Sequence, residues 1–400
     1  MQDVLSARIA DIRGRIIQFR HDLHAHPQIA FQESYAAGRV AEALAGEGIE
    51  HVTGVGRTGI VAWVLPTDPG AAERGAICLR ADMDALPLEE ETSLPYASQN
   101  PGCMHACGHD GHTAMLLGAA MVLNRLRDRL PRPVKFVFQP AEEEGGGARE
   151  VLAAGALGRQ FGGVDTAAAF AIHGRPLALG QVGLLAGPSQ ARVDTFEIII
   201  EGRGGHGASP HRAIDPVYAG CQVVSALQSI VSRNLAPLKA SVLSICSFQA
   251  GNACNVIPQR ARLLGTLRTF EDPLAEQALE RLGQIVGDLS GALGCVGSVR
   301  MLENYPPTVN DAAATQYARS VIEKIDSLAA VEIEPSMGGE DFAYFAQQVP
   351  ACMMVLGLAE GDKHAEMLHD PRFDFNDNAL GLGIELFCRT VLDSASLPSA

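Results

Sequence analysis

Cys107-Gly108-His109 places a thiol and an imidazole two residues apart, with a glycine between them that leaves room for close approach. Both groups are good donors to zinc and similar ions. A C-x-H pair by itself reads as readily as a buried cysteine beside a helix-capping histidine. The longer string His105-Ala106-Cys107-Gly108-His109-Asp110-Gly111-His112-Thr113 is richer than chance in a chain with only twelve histidines. Cys107 and His109 therefore read as metal ligands, and His105 and His112 as hydrogen-bonding residues at a helix start. Glu142-Glu143-Glu144 is an acidic run of the kind that ordinarily forms a solvated face. This one follows an apolar strand and precedes Gly145-Gly146-Gly147, where backbone can come close to a ligand. Metal-assisted hydrolysis needs one carboxylate on the metal and a second, unligated one to take a proton from the activated water. Two adjacent glutamates supply both, which leaves the third for solvent.

To act together, these groups must be delivered to one place. Ala76–Arg80 (AICLR) reads as a short apolar strand running into Asp82-Met83-Asp84, and Val134–Phe138 (VKFVF) as a strand running into the glutamates. Ala167–Ile172 reads as a third, with His173 at its end. In open α/β sheets, ligand sites gather in the crevice beyond the carboxyl ends of the strands. Residues 3–24 read as an amphipathic helix. A second helix follows His112, with Met115, Leu116, Ala119, Ala120, Leu123 and Leu126 on its buried face. The alternation predicts an α/β fold, a mostly parallel sheet with helices on both faces. From Gly187 the pattern changes. Strands at Thr195–Gly202, Ala240–Phe248, Arg260–Phe270 and Gly297–Glu303 alternate with helices at Asp215–Asn234 and Pro273–Leu293. Strand–helix–strand–strand–helix–strand is the order of a ferredoxin-like α+β unit. The expected organisation is a discontinuous catalytic domain, 1–186 and 304–400, with an inserted lid or dimerisation domain at 187–303.

Acidic residues outnumber basic ones 46 to 31, for a net charge of -15. Such a surface repels phosphate backbones and argues against a nucleic-acid partner. The N-terminal segment scatters its charges at helical spacing and does not read as a signal peptide. No apolar stretch is long enough to predict a membrane partner. Nine cysteines without framework spacing suit a reduced compartment, so the cytoplasm is expected.

MHACGHDGHTAMLLGAA, FQPAEEEGGGA, GGHGASPHRAIDP, NVIPQRARLLGTLRTF, GGEDF and LHDPRFDFND occur in that order. Together they resemble the M20 metallopeptidase superfamily, in its aminoacylase, hippurate hydrolase and auxin-conjugate amidohydrolase branch. The similarity runs from Arg20-His21-Asp22-Leu23-His24 to Asn376-Asp377, nearly the whole chain. It implies hydrolysis of the amide bond of small N-acyl amino acids, such as N-acetyl or N-benzoyl conjugates. The alternative within the family is a dipeptidase, or a hydrolase of another carboxylate-bearing amide such as a toxin or hormone conjugate. The resemblance also implies two divalent ions per subunit (zinc, manganese, cobalt or nickel). Cys107, His109, Glu143, His173 and His369 would hold them, with the Cys107 thiolate bridging. Glu142 matches the general base, and Asp84 an aspartate that sits behind the site and orients it. His206, in the smaller domain, matches a histidine that reaches the partner subunit's active site and hydrogen-bonds the oxyanion, so a homodimer or higher oligomer is implied. Asn255 and Arg268 match positions that hold the substrate's terminal carboxylate. On residue type alone, His206 would be an exposed turn histidine, Arg268 a plain strand charge, Trp63 a core residue and Glu340-Asp341 an acidic helix start. The departures from the pattern are Glu144, where relatives carry glycine, Arg175 beside the expected crevice, and Asp82, where many M20 peptidases have a metal-binding histidine.

Overall fold

Strands covered on both faces must be apolar on both, and successive side chains point to opposite faces. Ile77, Leu79 and Ala81 enter one apolar cluster while Cys78 enters another. Val134, Phe136 and Phe138 are divided from Val137 in the same way, as are Ala168, Phe170 and Ile172 from Ala169 and Ala171. This division fixes a sheet between two layers of helices. The structure, a computed structural model, describes residues 2–397.

The chain begins with α1 (Gln2–Ala25), α2 (Ser34–Gly46), β1 (Glu50–Val55), β2 (Gly59–Val64) and β3 (Ala76–Asp82). Next come α3 (His109–Asn124), β4 (Val134–Gln139), α4 (Gly147–Ala153), β5 (Thr166–Ala178) and β6 (Gln181–Leu184). The middle of the chain forms β7 (Gly187–Gln190), β8 (Arg192–Glu201), β9 (Gly205–His206), α5 (Pro216–Ser229) and β10 (Ser241–Ala250). It continues through β11 (Val256–Ile257), β12 (Arg260–Thr269), α6 (Asp272–Ala292), β13 (Val296–Tyr305) and β14 (Thr308–Asn310). The last part forms α7 (Ala312–Ile322), β15 (Ala329–Glu332), α8 (Ala343–Ala346), β16 (Ala351–Ala359) and α9 (Asp377–Leu392).

Two compact units result, one of residues 1–187, 309–334 and 341–400, the other of residues 188–308 and 335–340. In the first, the sheet order is β1-β2-β4-β3-β5-β16-β6-β15, and the central strands β4, β3, β5 and β16 run parallel. Antiparallel pairings join β1, β2 and β4 on one side and β16 to β6 on the other. Side chains of α1, α2, α3, α7 and α9 pack on one face, and those of α4 and of Phe342 and Phe345 on the other. Five of the six residues expected on this helix's buried face are buried in α3, and Leu126 is buried just beyond its end; all of His109–Leu123 is buried as well, because α1 and α9 cover the helix's remaining sides.

In the second unit, four antiparallel strands stand in the order β10-β12-β8-β13, the ferredoxin-like arrangement. One face, with Phe196, Ile198, Ile200, Leu263 and Leu267, packs on α5 and α6. Asp215 caps α5 by accepting the Val217 N–H at 2.8 Å. A boundary after Glu303 would cut β13, whose Tyr305 is buried and pairs with Val193; the unit runs to Thr308. Residues 335–340, read from sequence as part of the first domain, belong to the second. Ser336 N–H donates to Ser189 O at 2.9 Å, and Ala191 N–H lies 3.0 Å from both Ser336 O and Gly338 O. Among the described residues no helix is long and apolar enough to cross a membrane.

Candidate metal centre

Strand register sets the level of the site. Asp82 of β3 pairs with Gln139 of β4, Arg80 with Ala171 of β5, and His173 of β5 with Val355 of β16. The ends of β3 and β4 therefore lie level with His173, and the ligand-bearing loops leave the sheet there. The sequence places His173 at the end of its strand; in the structure β5 continues to Ala178, because β16 pairs with it beyond that point.

The donor atoms of Cys107, His109 and His173 lie within 4.8 Å of one another. So do those of Cys107, Glu143 and His369, and those of His109, Glu142 and Glu143. These groups share members, so the fold gathers all five expected ligands into one cluster, with Glu142 beside His109 and Glu143. Cys107 Sγ is 3.5 Å from His173 Nε2, and His369 Nε2 is 3.3 Å from Glu143 Oε1. His109 Nδ1 donates to Asp84 O at 2.9 Å and His173 Nδ1 to Gly174 O at 2.8 Å, which leaves the Nε2 lone pair of each available. His109 Nε2 and Glu143 Oε1 are buried without a hydrogen-bond partner. Leaving such an atom unsatisfied costs about 1–3 kcal/mol. A cation held by these lone pairs removes the cost, so the donor set fits a divalent metal.

Charge gives the same answer. Burial pushes the Cys107 thiol well up, and the carboxylates of Glu143, Glu142 and Asp82 add to it. Burial opposes a charge on His109, but Asp82, Asp84 and Glu143 outweigh that and raise it to about 10, so the Nε2 lone pair takes up a proton that a bound cation would displace. Burial, then His112, holds His173 well below the usual histidine range. Negative groups outnumber positive ones here, and a metal ion both balances them and turns Cys107 into a thiolate.

The supporting groups are buried too. The Asp84 carboxylate accepts the Glu143 N–H at 3.0 Å, while its carbonyl holds His109. Asp82 accepts Arg80 Nη1 at 2.7 Å and His112 Nδ1 at 2.7 Å, and His112 Nε2 accepts the Gly174 N–H at 2.8 Å. Both nitrogens of His112 are thereby committed to hydrogen bonds, as expected, although the bonds run to strand ends. His369 has φ 68°, and its N–H donates to Ala106 O at 2.8 Å, which ties it beside Cys107. Glu144 is exposed, and Arg175 is half-buried on β5. Asp341 corrects the acidic-helix-start reading. It accepts Arg80 Nη2 at 2.8 Å, Gln139 Nε2 at 2.8 and 2.9 Å, and the Ala148 N–H of α4 at 2.9 Å. The sequence signals for it were its place in the GGEDF motif and Gln139, a polar residue closing an apolar strand.

His206, Asn255 and Arg268 lie in the second unit. His206 is exposed in the short strand β9, paired with Val256, and Gly207 N–H donates to Asn255 O at 2.8 Å. His206 and Asn255 are thus neighbours on one ribbon. His206 Nδ1 accepts the Ala208 N–H at 3.0 Å, which leaves the proton on Nε2. Arg268 is half-buried on β12, and its Nε donates to Thr266 Oγ1 at 3.1 Å.

Known proteins are similar to this chain in sequence and in fold. The model of peptidase family M20/M25/M40 matches residues 78–393. The chain is 38% identical over 375 residues to an N-acetylcysteine deacetylase of Bacillus subtilis (strain 168), covering 93% of this chain and 95% of that one. It is 41% identical over 303 residues to an N-acyl-L-amino acid amidohydrolase of Geobacillus stearothermophilus, covering 76% and 80%. A solved structure of a dinuclear metal-binding peptidase of the M20 family from Bacillus subtilis aligns with a TM-score of 0.81 and 34% identity, covering 96% of this chain and 99% of that one. Matched from β3 to α9, through every loop that carries a candidate ligand, the chain belongs to peptidase family M20/M25/M40.

Proposed function

We propose that the chain hydrolyses the amide bond of N-acyl amino acids, with Glu142 as general base beside two divalent metal ions. The clustering of Cys107, His109, Glu143, His173 and His369, with Glu142 beside His109 and Glu143, carries this reading, and relatives named for N-acetylcysteine and N-acyl-L-amino acids support the substrate class. The Cys107 sulfur lies within 4.8 Å of a donor atom of each of His109, His173, Glu143 and His369, so it would be the residue shared between the two ions, as the family resemblance implies. Bound zinc, manganese, cobalt or nickel would polarise the carbonyl and bring the pKa of a water towards neutrality.

Glu142 takes the proton of the attacking water and returns it to the leaving nitrogen. Asp84 keeps the Glu143 backbone and the His109 ring in place throughout. His206, with its proton on Nε2, is the donor to the developing oxyanion, a role worth about 3 kcal/mol in comparable sites. Asn255 and Arg268 hold the amino acid's carboxylate and so orient the amide. The second unit serves as lid and dimerisation domain of a cytoplasmic homodimer, with His206 crossing to the partner's site.

The test is metal analysis of the purified protein beside a panel of N-acetyl, N-benzoyl and indole-acetyl amino acids and dipeptides. Glu142→Gln is expected to keep both metals while kcat falls at least ~100-fold. Near-normal turnover by that variant would remove Glu142 from the role of base.

A further inference from the structure

Metal binding makes no call on Glu33, yet its side chain is fully buried. It stands at the residue before α2, where a short polar side chain ordinarily caps a helix, and it makes no capping bond. Its carboxylate is spent elsewhere. Oε1 accepts the backbone N–H of Phe31 at 2.8 Å and that of Ala141 at 2.9 Å, and Oε2 accepts the Thr58 hydroxyl at 2.5 Å. Phe31 and Ala141 are both non-glycine residues in the left-handed region, with φ of 60° and 53°. That conformation costs about 1 kcal/mol or more and persists only where the surroundings over-determine it. One buried oxygen fastens both residues.

Ala141 immediately precedes Glu142. Its carbonyl accepts the Gly147 N–H at 2.9 Å, closing the acidic loop on itself. The Phe31 ring lies against the same loop: a Cβ on Gly145 would come within 2.6 Å of Phe31 Cε2. The Arg57 guanidinium covers that ring at 4.0 Å. Asp84 and Asp341 hold the loop farther along, at Glu143 and Ala148. Of these three carboxylates, Glu33 is the one bonded to the residue whose backbone angles set the direction of Glu142.

We infer that Glu33 is a positioning residue that acts through Ala141 to aim the Glu142 carboxylate, by the reach of its oxygen. This rests on Glu142 being the base. The experiment compares Glu33→Ala, Glu33→Gln and Glu33→Asp with Glu142→Gln, each brought to full metal content. Glu33→Ala is expected to bind two metals with KM within about twofold of wild type, while kcat falls roughly 10- to 100-fold, the scale of a misplaced catalytic group. The acid limb of its kcat–pH profile should shift as well. Glu33→Gln, whose amide oxygen still accepts both N–H groups, should return to within about threefold of wild type and restore the profile. Glu33→Asp, one methylene too short, should stay slow; if the alanine variant does not fold, this contrast decides. Wild-type turnover per metal-loaded molecule in Glu33→Ala or Glu33→Asp, or a Glu33→Gln as slow as either, overturns the inference. If Glu142→Gln is dead while Glu33→Ala is fully active, only the inference fails. If Glu142→Gln is active, the base assignment fails and the inference with it.

Discussion

Burial alone would strip His24 of its proton, but Asp110 lies 2.9 Å from Nδ1 and Glu90 3.5 Å from Nε2, and the balance raises the group to about 9. Its unfolded value is near 6.5. The proton is therefore bound more tightly in the folded state, and the resulting stability is complete below pH ~6.5 and lost as pH rises through ~9. We expect the difference in unfolding free energy between wild type and His24→Gln to shrink by about 1–3 kcal/mol between pH 6 and 10, as read by urea denaturation. Asp110 has the opposite sign. Burial works against its charge, but His24 and Arg20 hold it well below the usual carboxylate range, so its contribution is present above pH ~4 and lost as pH falls. Arg20 Nη1 also reaches Asp374, and Arg20 Nε reaches Asp377. One network, buried at Arg20 and Asp110 and partly exposed at Asp374 and Asp377, thus joins the segment of His109 to the segment that follows His369. Cys107, His109 and the glutamate pair were legible in the sequence because their donors stand next to one another. Glu33 was not, and of Arg20 and Asp341 only the motifs that contain them were, because each bonds a partner distant in the chain and carries no metal-ligand signature of its own.

Turns decide whether the elements present their donors. Gly108 stands between two candidate ligands with φ 82°, and a Cβ there would lie 3.0 Å from Phe375 Cδ2. Gly108→Ala is expected to cost about 1–3 kcal/mol from the left-handed backbone and the contact with Phe375. Because the same strain would shift Cys107 against His109, metal affinity should fall with stability. Calorimetric metal titration beside a melting curve checks both; unchanged affinity in a destabilised variant would separate the turn from the site. The strands were readable because their apolar runs are buried on both faces. The extension of β5 past His173 was not, since Gly174-Arg175-Pro176 looks like chain leaving a sheet until β16 is seen to pair with it. Residues 335–340 escaped for a related reason: a short segment without periodicity is assigned to a unit only by the backbone it bonds to.

At the scale of the molecule, His206 belongs to one compact unit and the candidate metal ligands to the other. If His206 completes the partner subunit's site, then mixing His206→Ala with Glu142→Gln under exchange conditions places both defects in one site of each hybrid and leaves the other intact. With equal amounts, about half the dimers are hybrids and roughly a quarter of wild-type activity should return. No recovery despite proven exchange would confine His206 to its own chain. The position of β16 has a different consequence, one that belongs to synthesis. Ala169 of β5 pairs with Ala351 of β16, so the centre of the larger sheet stays open until almost the whole chain has been made. The ferredoxin-like sheet, contained within residues 192–305, can close in the interval. At about 5–20 residues per second, β5 waits on the order of ten seconds or more with an apolar edge unpaired. The hazard of wrong pairing is thus set by the order in which the ribosome delivers the strands.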